Sequence, residues 1–132
     1  LLLKYAADVN RQDEEGCTAV ILASQEGHPN VVKAICEVNP DLTLTSKNGR
    51  NAVHASCFHG HFICIKHLLE CPGAVGLITS IDKDGWTPLH YAGSSGSRKI
   101  GTLLMHSGAN LAAQNANGES ACEGKKKEQI KH

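Results

Sequence analysis

Residues 84–96 read DGWTPLHYAGSSG. A histidine set among hydroxyls invites two readings, a reactive site built on His90 or a piece of framework. No serine here stands in a nucleophile-elbow sequence, and no carboxylate is spaced to orient His90, so nucleophilic catalysis lacks its parts. The framework reading gives every residue a task. Gly85 permits a turn with positive φ. Thr87 can cap a helix, and Pro88 suits the first turn of one. Leu89 and Ala92 point to a core, and Gly96 ends the helix in the left-handed region.

Working outward, the same pattern recurs. The turns DEEG, SKNG, DKDG and NANG end at Gly16, Gly49, Gly85 and Gly118, with spacings of 33, 36 and 33. A second glycine series, Gly27, Gly60 and Gly96, follows each of the first three by 11 residues. Between the two series lie CTAVILASQEGH, RNAVHASCFHGH and WTPLHYAGSSGS, and behind them the apolar stretches VVKAICEV, CIKHLLEC and IGTLLMHS. A fixed period of this length marks a solenoid, in which each unit buries its apolar face against the next. Val31, Val32, Ile35, Leu68, Leu69, Leu103 and Leu104 are the expected core between units. The middle unit carries three extra residues near CPGAVGLITS, where a bulged loop is expected.

These residues resemble the ankyrin repeat, whose unit of about 33 residues is a β-turn followed by two antiparallel helices with a T-P-L-H signature. DKDGWTPLH and SGANLAAQ carry the likeness most closely, with AADVN as the end of a preceding unit. TAVI and NAVH depart from T-P-L-H, and Ser97 stands in place of the inter-helix histidine. The resemblance implies an all-α ankyrin-repeat solenoid of stacked helix-turn-helix units with β-turn finger loops. It divides the chain into a partial repeat at 1–12, full repeats at 13–45, 46–81 and 82–114, and a truncated repeat with a polar tail at 115–132. It also implies that His54 and His90 hold the turns together by hydrogen bonds.

The bulk composition excludes several functions. Thirteen basic and thirteen acidic side chains give a formal net charge of +0, which removes the main electrostatic reason to expect nucleic acid or an anionic membrane as partner. No apolar run approaches the roughly 18 residues of a membrane span. LLLKYAADVN has no basic n-region and is not read as a signal peptide. The lack of an initiating Met leads to the expectation of a longer parent protein. Six cysteines without a C-x-x-C pair, several in apolar helical patterns, point to free thiols in a reducing compartment, hence a cytoplasmic or nuclear location.

Two other chemistries compete. His54, Cys57, His59, His61, Cys64, His67 and Cys71 crowd the middle unit, and His54-x-x-Cys57 or His61-x-x-Cys64 could share a zinc ion. His54, Cys57, His61 and Cys64 each also fill a structural slot of the repeat, and His54 and His61 lie on different segments, so no metal and no cofactor are expected. The lysines of GKKKEQ could form a localisation or phosphate-binding segment, although such a run at a chain end is more often a solvated tail. The segment SACEGKKKEQIKH reads either as a polar cap helix or as a frayed end.

The function implied is therefore a non-catalytic protein–protein interaction module, monomeric, holding another protein or peptide by its turn tips and the exposed face of its first helices. Carried over by resemblance, the contact positions are Glu14, Glu15, Gln25 and Glu26 in the first full repeat, with Gln12 and Cys17 beside them. In the second they are Lys47, Asn48, Arg50, Phe58 and His59, beside Thr45. In the third they are Lys83, Asp84, Trp86, Ser94 and Ser95, beside Ile81. Arg50, Phe58 and Trp86 should form one patch, with Tyr91 read as framework, and a guanidinium in that patch favours an acidic or aromatic ligand. An alternative makes the chain a regulatory segment of an enzyme or channel acting intramolecularly. Finally, LLKYAADVN resembles the segment ending in Asp-Val-Asn that an asparaginyl hydroxylase modifies in this family, which makes Asn10 a candidate modification site.

Overall fold

The computed structural model describes residues 9–110 and 114–120. The expected readings of the tail and of the lysine run at residues 125–127 lie outside them, as do most residues of the partial repeat at 1–12.

Each turn glycine closes a finger. Gly16, Gly49, Gly85 and Gly118 donate their N–H groups to the carbonyls of Asp13, Ser46, Asp82 and Asn115 at 2.9–3.0 Å. Those four residues donate in turn to the carbonyls of Cys17, Arg50, Trp86 and Glu119. At three of the fingers a side chain completes the turn. Asp13 Oδ1 accepts from the N–H groups of Glu15 and Cys17, Asp82 Oδ1 from those of Asp84 and Trp86, and Asn115 Oδ1 from those of Asn117 and Glu119. Successive fingers are tied by one backbone bond each, from Lys47 to Glu15, Lys83 to Asn48 and Ala116 to Asp84, at 2.8–2.9 Å. Gly85 is needed twice over. Its φ is +76°, and a Cβ there would lie 2.7 Å from the Ala116 nitrogen of the next finger.

The fingers lead into three helical pairs: α1 (Ala19–Glu26) and α2 (Pro29–Cys36), α3 (Ala52–His59) and α4 (Phe62–Leu69), α5 (Pro88–Ser95) and α6 (Arg98–His106). The first helices start on the side-chain caps Thr18, Asn51 and Thr87, and end on Gly27, Gly60 and Gly96 in the left-handed conformation. Such short helices owe their stability to packing rather than to propensity. The first helices stack as a row α1–α3–α5, and the second helices as α2–α4–α6. No strand occurs among the described residues.

Between the rows lies the core. Ile35, Leu68 and Leu104 stand eight residues after their inter-helix glycines, and each is fully buried. Val32 and Ile65 join them, whereas Leu69 and Leu103 are only partly buried at its edge. Val31 corrects the sequence reading, being 37% exposed. Its slot is buried at Cys64 and Ile100, in helices with a described second helix before them, whereas α2 is the first second helix among the described residues.

The extra residues of the middle unit also differ from expectation. Instead of a bulged loop they form a 3-10 helix, Val75–Thr79, which buries Leu77 and Ile78, with Ala74 buried just before it. Apolar residues three and four apart give the segment an inward face. Ser80 Oγ locks it by donating to the Leu77 carbonyl at 2.6 Å and accepting from Asn51 Nδ2 at 2.7 Å.

Candidate partner-binding face

The turn-to-helix junctions carry the expected histidine framework. His54 Nδ1 accepts from the Asn51 N–H at 3.2 Å, and Nε2 donates to the Trp86 carbonyl of the next finger at 2.9 Å. His90 repeats this with the Thr87 N–H at 3.1 Å and the Glu119 carbonyl at 2.7 Å. The two bonds fix the Nε2–H tautomer and occupy both ring nitrogens, leaving no lone pair for a metal or a proton transfer. Burial further lowers the pKa of His54, against the opposing pull of the Trp86 carbonyl and Asp82. His61 Nε2 donates to the Gln25 carbonyl at 3.1 Å. Cys57 and Cys64 are buried, and burial raises both thiols. Among the described residues no three His, Cys, Asp or Glu side chains converge as metal ligands, and Cys17, Cys36, Cys57, Cys64 and Cys71 are free thiols.

Arg50 and Trp86 each directly follow a turn glycine, so translation by one unit sets them side by side. Phe58 projects from α3, 45% exposed. The three residues meet through Tyr91 of α5. The Arg50 guanidinium lies over the Phe58 ring at 5.0 Å and the Tyr91 ring at 5.3 Å. Phe58 stacks on Tyr91 at 5.4 Å, and Trp86 packs on Tyr91 at 4.9 Å. Beneath them sits Asp82, its side chain 1% exposed. One carboxylate oxygen holds the third finger closed; the other accepts from the Tyr91 hydroxyl and lies 3.7 Å from Arg50 Nε, which also donates to the Tyr91 oxygen at 3.0 Å. Burial, reinforced by Asp82, raises the Tyr91 pKa well above the ordinary phenol range, so the hydroxyl remains a neutral donor.

Two cavities open beside this cluster. The larger, of about 560 Å³, is lined by Arg50, Phe58, Asp84, Trp86, Ser94 and Ser95, with Tyr91 at its floor and Ala116 and Asn117 on the far side. The smaller, of about 260 Å³, takes in Glu15, Gln25, Lys47, Asn48 and His59, with Asp13 and Cys17. Arg50 and Phe58 line both. Of the other expected positions, Glu14, Glu26 and Lys83 are exposed outside these walls. Asn10 is exposed too, but its Oδ1 accepts from the Asp41 N–H at 2.7 Å, a framework bond between turns.

Sequence reasoning missed Asp82, Tyr91 and Asn117. For Tyr91 a signal existed. Its slot holds Leu22 and Ala55 in the preceding units, so an aromatic hydroxyl there departs from the repeat. The Arg50 charge in this patch is paired with the buried Asp82 carboxylate.

Stacked helical pairs and linked fingers define a helical repeat protein. The comparisons with known proteins say which. The description "Ankyrin repeats (3 copies)" matches residues 35–115, and "Ankyrin repeats (many copies)" matches residues 1–35. The chain belongs to the ankyrin-repeat family, whose repeats are generally non-catalytic protein-interaction modules. Its relatives include the tyrosine-protein kinase HTK16 of Hydra vulgaris, 26% identical over 86% of this chain and 15% of that protein. The human transient receptor potential cation channel subfamily A member 1 is 30% identical over 83% of the chain and 10% of its own length. The human SMC5-SMC6 complex localization factor protein 1 is 38% identical over 60% of the chain and 8% of its own length. The chain thus spans a small part of each of these relatives. No helix among the described residues is long and apolar enough to cross a membrane.

Proposed function

We propose that this chain is the non-catalytic docking module of a longer protein, with full repeats at 13–45, 46–81 and 82–114, acting as a monomer inside the cell. Its partner is a protein or peptide held on the face made by the fingers and first helices. The observation that carries this reading is the cavity of about 560 Å³ that reaches from Arg50 of the second finger to Ala116 and Asn117 of the fourth, walled by Phe58, Trp86 and Tyr91 and open to solvent beside Asp84. Aromatic side chains and arginine at a recessed site are the usual anchors of an interface. The five free thiols among the described residues fit a reducing compartment, cytoplasmic or nuclear.

A second reading has its own support. Two relatives are by name a kinase and a cation channel, so the segment docked here is in that case a part of the same parent chain, and the module regulates it.

Arg50 is a poor residue to delete as a test, since its loss strands the buried Asp82 carboxylate. Ser94→Gln is cleaner. It fills the cavity without altering charge, and the Ser94 hydroxyl has no partner among the described residues. Peptides selected on the native chain from a displayed random library should bind the Ser94→Gln chain at least about ten-fold more weakly, a difference of about 1.4 kcal/mol. Thr102→Gln on α6 should bind them normally. Equal binding by Ser94→Gln, or a library that yields no binder, contradicts the docking face.

A further inference from the structure

The formal net charge of +0 conceals a division between the two sides of the stack. On the second helices the described charges within the helical spans are all basic: Lys33, Lys66, Arg98 and Lys99, with Glu37 and Glu70 at C-terminal caps. The fingers are acidic at both ends of the groove. Asp13, Glu14 and Glu15 lie in the first, Asp82 and Asp84 in the third, and Lys47, Arg50 and Lys83 only partly offset them.

Resting on the docking face proposed above, we infer that the larger cavity receives a basic side chain, arginine or lysine, from an extended peptide, laid on the indole of Trp86 with its charge against the Asp84 carboxylate. The geometry of Arg50 decides the sign. Its guanidinium packs against the Phe58 and Tyr91 rings, which stack on each other, and is paired with Asp82 at 3.7 Å. The charges in and directly beneath the cavity are then Asp82 and Asp84 against Arg50, a surplus of one negative charge. The Asp84 carboxylate is exposed and has no partner among the described residues. Trp86 provides the aromatic face to which a cation is drawn within about 6 Å. Arg50 acts on a different part of the ligand. Its bonds within the protein run through Nε, and its two terminal amines, without partners among the described residues, are donors for the peptide's carbonyl oxygens. The groove continues past Arg50 and Phe58 into the smaller cavity, where Asp13 and Glu15 extend the negative lining. An acidic ligand meets no uncompensated positive charge along this path except Lys47.

The test uses the peptides selected on the native chain. They should share an arginine or lysine whose replacement by Ala weakens binding at least ten-fold. Asp84→Asn should weaken them about three-fold, and Asp84→Lys at least ten-fold, with unchanged melting temperatures because both variants keep the backbone bonds of residue 84. Selection repeated on the Asp84→Lys chain should enrich Asp or Glu. Peptides that need the cavity, judged by Ser94→Gln, yet contain no essential base or ignore both Asp84 variants, overturn the inference and leave the docking face standing. Peptides indifferent to Ser94→Gln overturn both.

Discussion

Ser46 shows how much one side chain contributes to a finger. Asp13, Asp82 and Asn115 occupy the corresponding slot elsewhere, and each accepts two backbone N–H groups through one Oδ1. The shorter serine does not reach, and its buried Oγ has no hydrogen-bond partner among the described residues. A buried polar atom without a partner is a cost that the repeat pattern explains how to remove. Ser46→Asp should restore the acceptor for the N–H groups of Asn48 and Arg50 and stabilise the chain by about 0.5–1.5 kcal/mol. A urea midpoint that stays the same or falls would show that the second finger is closed differently from the others. The slot itself is legible in the spacing of DEEG, SKNG and DKDG. The missing bond is not, because it depends on a difference in reach of one carbon. Tyr91 was missed for a related reason. The repeat frame gives its slot an aliphatic residue, and only the fold shows Asp82 and Arg50 converging on its hydroxyl.

At the scale of elements, packing between neighbouring units replaces intrinsic helix stability. Leu104 stands for the whole row with Ile35 and Leu68. Leu104→Ala should lower stability by about 2–5 kcal/mol, since the cavity left between α4 and α6 cannot close fully. A loss below about 1 kcal/mol, read from chemical denaturation, would place Leu104 outside the core, against the burial pattern of the second helices. Helix identity and register were readable because two glycine series and an apolar period agree. Val31 was misread because periodicity identifies a slot, whereas burial depends on what stands beside it. The inserted segment was misread because its length signals a departure from the repeat without saying that Leu77 and Ile78 can fold inward.

For the whole molecule, the stack turns a neutral composition into two unlike sides, an acidic aromatic groove and a basic outer row. That division was invisible to a net charge and follows only from assigning each residue to a finger or a helix. The placement of Arg50, Phe58 and Trp86 around one cavity did follow from their positions in the repeat. The pairing of Arg50 with Asp82 did not, since the two are 32 residues apart and meet only through the translation between units. The chain's single tryptophan is Trp86 itself, so its fluorescence reports directly on the proposed docking cavity. A peptide selected on the native chain should change the Trp86 emission in a saturable titration whose midpoint equals the dissociation constant measured by calorimetry. A peptide that binds by calorimetry and leaves the Trp86 emission unchanged at saturation would contradict the claim that partners are held there.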